Sequence, residues 1–352
     1  MVQTGPGQLE LQTFAQPELG DDDALLRVEA CGICGTDVET FAGAIPLRYP
    51  VIPGHEPLGW IEQIGATAAA RWGLAPGDRV VLQSDVGCRR CRGCAAGQAC
   101  LVSPGTYGFL PTSVAPGLWG AYAEVMYLAP GSIPHRVPPE VPTGVAALFN
   151  ALAAGFSWAV EAPGLRPGDS VAVLGPGQRG LACVLAACHA GAGTVIVTGM
   201  GSRDAHKLAL AGDLGADVVV DVEQQDAVDA VAAATAGTGV DVVVDTTPRA
   251  TQPVIEALRM ARPGGTVVLA GLKGTTVPAF PTDEVAMRWQ TIKGVRAATT
   301  WGFRQAVALI GSETANLQRM HTHRFRLEDA ADAVRALSGA SDRPAVAVTI
   351  EP

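Results

Sequence analysis

The stretch VAVLGPGQRGLACVLAA, Val171 to Ala187, runs from a short apolar strand through three glycines into an apolar helix. Gly175, Gly177 and Gly180 form a G-x-G-x-x-G pattern at that strand-to-helix turn. On its own the pattern is weak, since glycine-rich turns are common between strands and helices. Its surroundings strengthen it. Working outward, TVIVTG, VVVDV, VDVVVDTT and GTVVLAG read as strands, with AHKLALAGDLGAD, DAVDAVAAATAG and TQPVIEALRMA as helices between them. Strands alternating with helices build a parallel sheet covered on both faces. The expected fold class is α/β, with a doubly wound parallel sheet.

In that context the glycines allow a tight turn and let the backbone approach a pyrophosphate, which rests on the helix N-terminus. A dinucleotide cofactor follows. In NAD binders an acid about 20 residues further on takes the ribose 2′-hydroxyl, but the second strand here ends at Gly199. GMGSRD follows, with Ser202 and Arg203 spaced to receive a 2′-phosphate. Ser202 as a helix cap, Arg203 as a solvated charge, and Asp204 on the ribose of NAD stay open as readings. NADP is preferred over NAD.

Before residue 155 the rhythm differs: LLRVEA, YPVIPGHEP, GDRVVLQS and GAYAEVMYLAP are short apolar runs cut by Gly and Pro. That is the texture of a β-rich, loop-heavy domain. At 352 residues, 48% of them hydrophobic and 17% charged, the chain has ample material for two domain cores. A net charge of −9 argues against a nucleic-acid partner, which demands a basic face. Apolar runs are expected to break before the roughly 18 residues of a membrane span. With no basic, apolar leader at MVQTGPGQLELQ, the expectation is a cytoplasmic protein without membrane contact.

Six of the eight cysteines lie in the first third. In GCRRCRGCAAGQAC, Cys88, Cys91 and Cys94 are two residues apart and Cys100 follows after five. Four thiolates in a compact lobe suit a closed tetrahedral zinc site, which leaves no place for substrate. Arg89, Arg90 and Arg92 offset its negative charge. Cys183 and Cys188, on an apolar helix, read as core residues. CGICGTD (Cys31 to Asp37) and GHEPLGWIEQIG (from Gly54) bring a thiolate, an imidazole and carboxylates from separate loops, donors that can make an open zinc site.

With these motifs, GDRV at Gly77–Val80 and GAYAE at Gly120–Glu124, the chain resembles the zinc-containing medium-chain dehydrogenase/reductase superfamily, the alcohol, threonine, sorbitol and glucose dehydrogenases. The resemblance spans nearly the whole chain. It implies a GroES-like catalytic domain at residues 1–155 and 292–352, carrying a zinc lobe at about 86–102, and a Rossmann domain at 156–291. Cys34 and His55 match ligands of a catalytic zinc, and Cys31 matches a packing position. Asp37 resembles the carboxylate that orients the ligand histidine, Thr36 the hydroxyl that passes the substrate proton outward, and Glu56 an occasional ligand. Cofactor contacts at Gly199, Thr246, Gly271 and Leu272 are implied with those of the glycine loop. The implied activity is hydride transfer between a nicotinamide and an alcohol or carbonyl at zinc, in a homodimer or homotetramer.

The chain departs from the family in three places. Asn150, in ALFNALAAG, stands where relatives have Cys or Glu as third ligand, and an amide is a weak ligand for zinc. Either Asn150 binds through its carbonyl oxygen, or Glu56 takes over, or metal is held loosely. Glu39 stands where many relatives have a histidine finishing the proton relay. The last cysteine gap is two residues short, with Gly97 kept. The expected pocket company, Phe149, Trp119, Trp158 and Leu272, is apolar, which favours a secondary or cyclic alcohol. Reduction of an activated C=C bond, or a non-catalytic cofactor- and zinc-binding role, are the alternatives.

Overall fold

In a computed structural model the chain forms two compact units, Ala151–Ala306, and Met1–Asn150 with Val307–Pro352. All residues are described except 89, 97–99, 101, 103–104 and 341–342.

The first unit holds six strands: β1 Ser170–Leu174, β2 Thr194–Gly199, β3 Val218–Asp221, β4 Val240–Asp245, β5 Ala261–Leu269 and β6 Thr291–Gly294. They lie in the order β3-β2-β1-β4-β5-β6, and every pairing is parallel. Helices α1 Gln178–His189, α2 Gly201–Asp213, α3 Ala227–Ala234 and α4 Gln252–Met260 make the crossovers. Val171, Ala172 and Val173 of β1 are fully buried, as a strand covered on both faces requires. Strand order reverses between β1 and β4, and in such sheets ligands bind beyond the strand C-termini at that reversal. The sequence reading of a doubly wound parallel sheet holds.

The second unit centres on the ten-residue strand Ala24–Ile33. It pairs antiparallel with Pro57–Ile64, Val125–Leu128 and Ala347–Glu351. The sheet continues through Arg79–Leu82 to Pro134–Arg136 on one side. On the other, His321–Arg326 runs parallel to Ala347–Glu351. Leu25, Leu26, Ile33, Ile61, Leu82 and Met126 are buried inside it. This is the β-rich, GroES-like unit.

Two expectations need correction. The sheet-bearing unit runs to Ala306, past the expected 291. Strand Thr291–Gly294, which straddles the domain boundary implied at 292, pairs with β5 as the sixth parallel strand. The other concerns apolar length. Thr143–Glu161 forms 19 helical residues long and apolar enough to cross a membrane, where no such run was expected. The most apolar window of that helix is 89% buried in the fold, the environment of a core helix.

Candidate active site and metal centres

Strand register builds the first centre. Cys31 faces Pro57 across the antiparallel pair, so the residue just past the end of one strand, Cys34, meets those just before the other, His55 and Glu56. A backbone bond from Gly32 N to Glu56 O (3.0 Å) closes this end of the ladder. Gly32 leaves room there for the Glu56 carboxylate. A β-carbon at 32 would lie 2.8 Å from Glu56 Oε2. GAYAE braces the other side, with Ala121 N donating to Gly54 O and Tyr122 N to Pro53 O.

Cys34 caps the short helix Gly35–Phe41, its sulfur accepting from Thr36 N at 3.4 Å while Asp37 Oδ2 accepts from Cys34 N at 2.9 Å. The other Asp37 oxygen lies 3.4 Å from His55 Nδ1. That contact leaves Nε2 facing Cys34 Sγ at 3.3 Å, with Glu56 Oε1 3.9 Å away. The sulfur, the ring nitrogen and a carboxylate oxygen all lie within 4.8 Å of one another, and all three residues are buried. Thiolate, imidazole and carboxylate are the donor types zinc takes. Burial disfavours the His55 imidazolium, but Asp37 and the Cys34 sulfur outweigh it and hold the ring above its usual range. A cation at this spot would replace that proton.

Asn150, at the expected third-ligand position, touches this cluster through the Glu56 carboxylate. Its Nδ2 donates to Glu56 Oε1 at 2.5 Å, so the amide holds the carboxylate. Cys31 donates to Gly32 O, and burial pushes its thiol well above the usual range, as a packing residue. Thr36 and Glu39 are half-buried on the same short helix. Of the aromatics expected around the pocket, Phe149 is fully buried. Trp119 belongs to the core, its Nε1 donating to Val114 O. These two are packing residues. An aromatic that the sequence did not mark, Phe109, lies edge-on to His55 with centroids 5.6 Å apart.

The sulfur atoms of Cys88, Cys91, Cys94 and Cys100 also lie within 4.8 Å of one another. The Cys91–Cys100 separation is 3.8 Å, about the edge of a tetrahedron with Zn–S bonds near 2.3 Å. Backbone amides aim at these sulfurs: Cys88 N and Val102 N at Cys100, Cys94 N at Cys91. The amide of Cys88 leads in lowering the Cys100 thiol below its usual range, which favours the ligating thiolate. Arg89 and Gly97 lie outside the described residues.

In the sheet-bearing unit the three loop glycines do three different things. Gly175 has φ +93, a left-handed turn. Gly177 caps α1, and a β-carbon there would meet nothing within 4 Å among the described residues. A β-carbon on Gly180 would fall 1.9 Å from Gly175 O, so glycine is what lets α1 pack on the turn. Thr246 Oγ1 donates to Leu174 O and Gly175 O, tying the end of β4 to this loop. A β-carbon on Gly199 would strike Pro176, and one on Gly271 would strike Thr247 O. Leu272 is 70% exposed, while Trp158 donates to Ala297 O and carries Arg179 over its ring.

Ser202 and Arg203, expected to receive a phosphate, are both engaged. Ser202 is bound to Glu223 through its amide and its hydroxyl, and Arg203 pairs with Asp204 at 2.9 Å. Asp204 is itself buried. Burial works against its charge, but Arg203 and Lys207 outweigh it and hold the carboxyl below its usual range. Asp204 is thus committed within its own helix turn. Asp221 and Glu223 went unmarked in the sequence; an acid at the end of a third strand was their only signal.

Comparison with known proteins agrees with this geometry. Residues 20–139 match the alcohol dehydrogenase GroES-like domain and residues 180–312 the zinc-binding dehydrogenase family. A "Probable alcohol dehydrogenase" of Mycobacterium tuberculosis is 43% identical over 97% of this chain and 95% of its own length. The erythritol/L-threitol dehydrogenase of Mycolicibacterium smegmatis is 31% identical, covering 92% of this chain and 90% of its own. Among solved structures, an alcohol dehydrogenase from Thermus sp. ATN1 superposes with a TM-score of 0.86 at 28% identity, covering 99% of this chain and 98% of that one. A protein from Sinorhizobium meliloti 1021, solved bound to NADP, gives 0.85 at 30% identity, with 99% and 97% covered. The chain belongs to the zinc-binding medium-chain dehydrogenase/reductase family, as a zinc-dependent alcohol dehydrogenase related to the sorbitol and threitol dehydrogenases.

Proposed function

We propose that the protein interconverts a secondary or cyclic alcohol and its ketone, with a catalytic zinc held by Cys34, His55 and Glu56. The observation that carries this is the buried triplet of donor atoms within 4.8 Å. A bound zinc supplies Lewis-acid chemistry, lowering the pKa of an alcohol hydroxyl, and the nicotinamide accepts the hydride. The chain's own residues do the rest. Asp37 fixes the His55 ring through Nδ1, the kind of outer contact that sets ligand orientation. Asn150 acts as a positioning residue, its amide holding Glu56 in place. The Thr36 hydroxyl carries the substrate proton outward, with Glu39 on the next helical turn.

Phe109 supports the choice of substrate, since it sets an apolar ring edge-on beside His55 with centroids 5.6 Å apart. We expect kcat/KM for cyclohexanol or 2-butanol to exceed that for sorbitol or threitol by at least about tenfold, on the size of a hydrophobic-pocket preference. A polyol as the better substrate would reverse this reading. Turnover of an enone with no alcohol oxidised would replace it with C=C reduction.

For the cofactor the proposal is NAD or NADP at the glycine loop. The sequence preference for NADP rested on Ser202 and Arg203, and both have acidic partners. The compartment we propose is cytoplasmic, in keeping with the acidic composition. A homodimer or homotetramer is proposed through the open edge of the six-stranded sheet at β6, next to the exposed Met287 and Trp289. Light scattering that gives a monomer at micromolar concentration would discard it.

A further inference from the structure

Behind the glycine loop the sheet-bearing unit buries an ion pair. Asp245 closes β4 and its side chain is 0% exposed, with the Lys273 ammonium 2.7 Å from Oδ2. The lysine comes from the segment after β5, and its side chain is only 9% exposed. Lys273 also donates to Thr247, to the carbonyl oxygen at 2.5 Å and to Oγ1 at 2.9 Å. An ammonium has three donors, so these three acceptors use it fully. Asp245 Oδ1 in turn accepts from Thr247 N at 3.0 Å and from Thr247 Oγ1 at 2.5 Å. The cluster touches the loop. A β-carbon on Gly175 would lie 2.9 Å from Thr247 Cγ2 and 3.2 Å from Thr246 Oγ1. Arg249 N donates to Leu272 O at 2.9 Å, which joins the same two segments after β4 and β5.

We propose that Lys273 is a positioning residue for the dinucleotide, acting through Asp245 and Thr247. It cancels the charge of the buried carboxylate beside the glycine loop and occupies the Thr247 carbonyl. A pyrophosphate at the loop then meets no net negative charge from behind. The inference rests on the dinucleotide reading of that loop. A buried carboxylate without a counter-charge acts through a low effective dielectric, where it repels another anion several times more strongly than in water. An aliphatic residue at 273 would leave that charge in place and take the ammonium from Thr247 O. A buried ion pair is by itself a weak source of stability. Its place against Gly175, at the carboxyl ends of two parallel strands, favours a role in binding.

The test is calorimetric titration of NADH, with Tm, on the wild type, Asp245→Asn, Lys273→Met and the double variant. Lys273→Met should weaken NADH by at least about tenfold, and adding Asp245→Asn should restore it to within about threefold of the wild type. Asp245→Asn alone should tighten NADH by about threefold or more while lowering Tm, since the loop gains net positive charge as the protein loses an ion pair. Those opposite directions separate the proposal from a purely structural role, which moves affinity and Tm together. An Asp245→Asn that binds NADH no more tightly than the wild type overturns the proposal, even where Lys273→Met is too unstable to purify. So does a double variant that binds no better than Lys273→Met. A folded wild type that binds no NADH overturns this inference together with the dinucleotide reading.

Discussion

Cys34→Ser is expected to lower the zinc content of the purified protein from two ions per chain to one. It should also cut kcat for alcohol oxidation by at least about 10³-fold, because the Lewis acid at the reacting oxygen is lost. Cys34 is the only thiolate among the three clustered donors, and its sulfur also caps the helix that carries Asp37. Cys91→Ser should remove the other ion and lower Tm, since a closed four-thiolate site contributes folding energy. Asn150→Ala should keep both ions at saturation but weaken the Cys34–His55–Glu56 site by about 10- to 100-fold, the usual cost of losing a ligand's orienting partner. Elemental analysis and competition with a chromophoric chelator read all three. One zinc in the wild type, unaffected by Cys34→Ser, would show the donors to be empty and defeat the proposed mechanism.

Gly177→Ala and Gly180→Ala should separate binding from folding within a single loop. At Gly177 the backbone has φ −64 and ψ 174, which alanine adopts freely, and a methyl meets nothing within 4 Å among the described residues. The variant should keep its Tm, yet lose at least about tenfold in dinucleotide affinity, because the methyl occupies the approach to the pyrophosphate. At Gly180 the methyl would land 1.9 Å from Gly175 O and 3.2 Å from Thr246 Oγ1. Backbone cannot yield there without lifting α1 off the sheet, so stability should fall by about 1–3 kcal/mol or more, as overpacking costs. Calorimetric Tm and NADH titration read both variants. A Gly177→Ala that unfolds early but binds normally would mean the glycine serves the turn and not a ligand.

Much of the fold was legible because its signals are local. A parallel strand covered on both faces must be apolar throughout, and VAVL, VIV and VVVD say so without any tertiary knowledge. The cysteine lobe is local too, since four ligands within 13 residues need only one small loop to converge. Thr291–Gly294 was misplaced because a short strand carries no mark of the sheet it will join; pairing with β5 decides that. Phe149 and Trp119 look like pocket residues in sequence, since an aromatic ring reads the same in a core as in a wall.

The sequence by itself determined the presence of a dinucleotide loop, a four-thiolate lobe and a thiolate–imidazole pair, because each depends on residue types at short, fixed spacings. Only the tertiary structure decided which further groups meet that pair. Glu56 and Asn150 are 94 positions apart, and the hydrogen bond from the amide to the carboxylate exists only once the helix Phe149–Gly155 packs beside the start of the strand Pro57–Ile64. The same is true at the start of α2, where Asp221 and Glu223 reach Gly201 and Ser202 from the end of a neighbouring parallel strand. Spacing along the chain records which groups are available. The fold sets which of them meet, and with that which charges are spent on the protein's own donors before any ligand arrives.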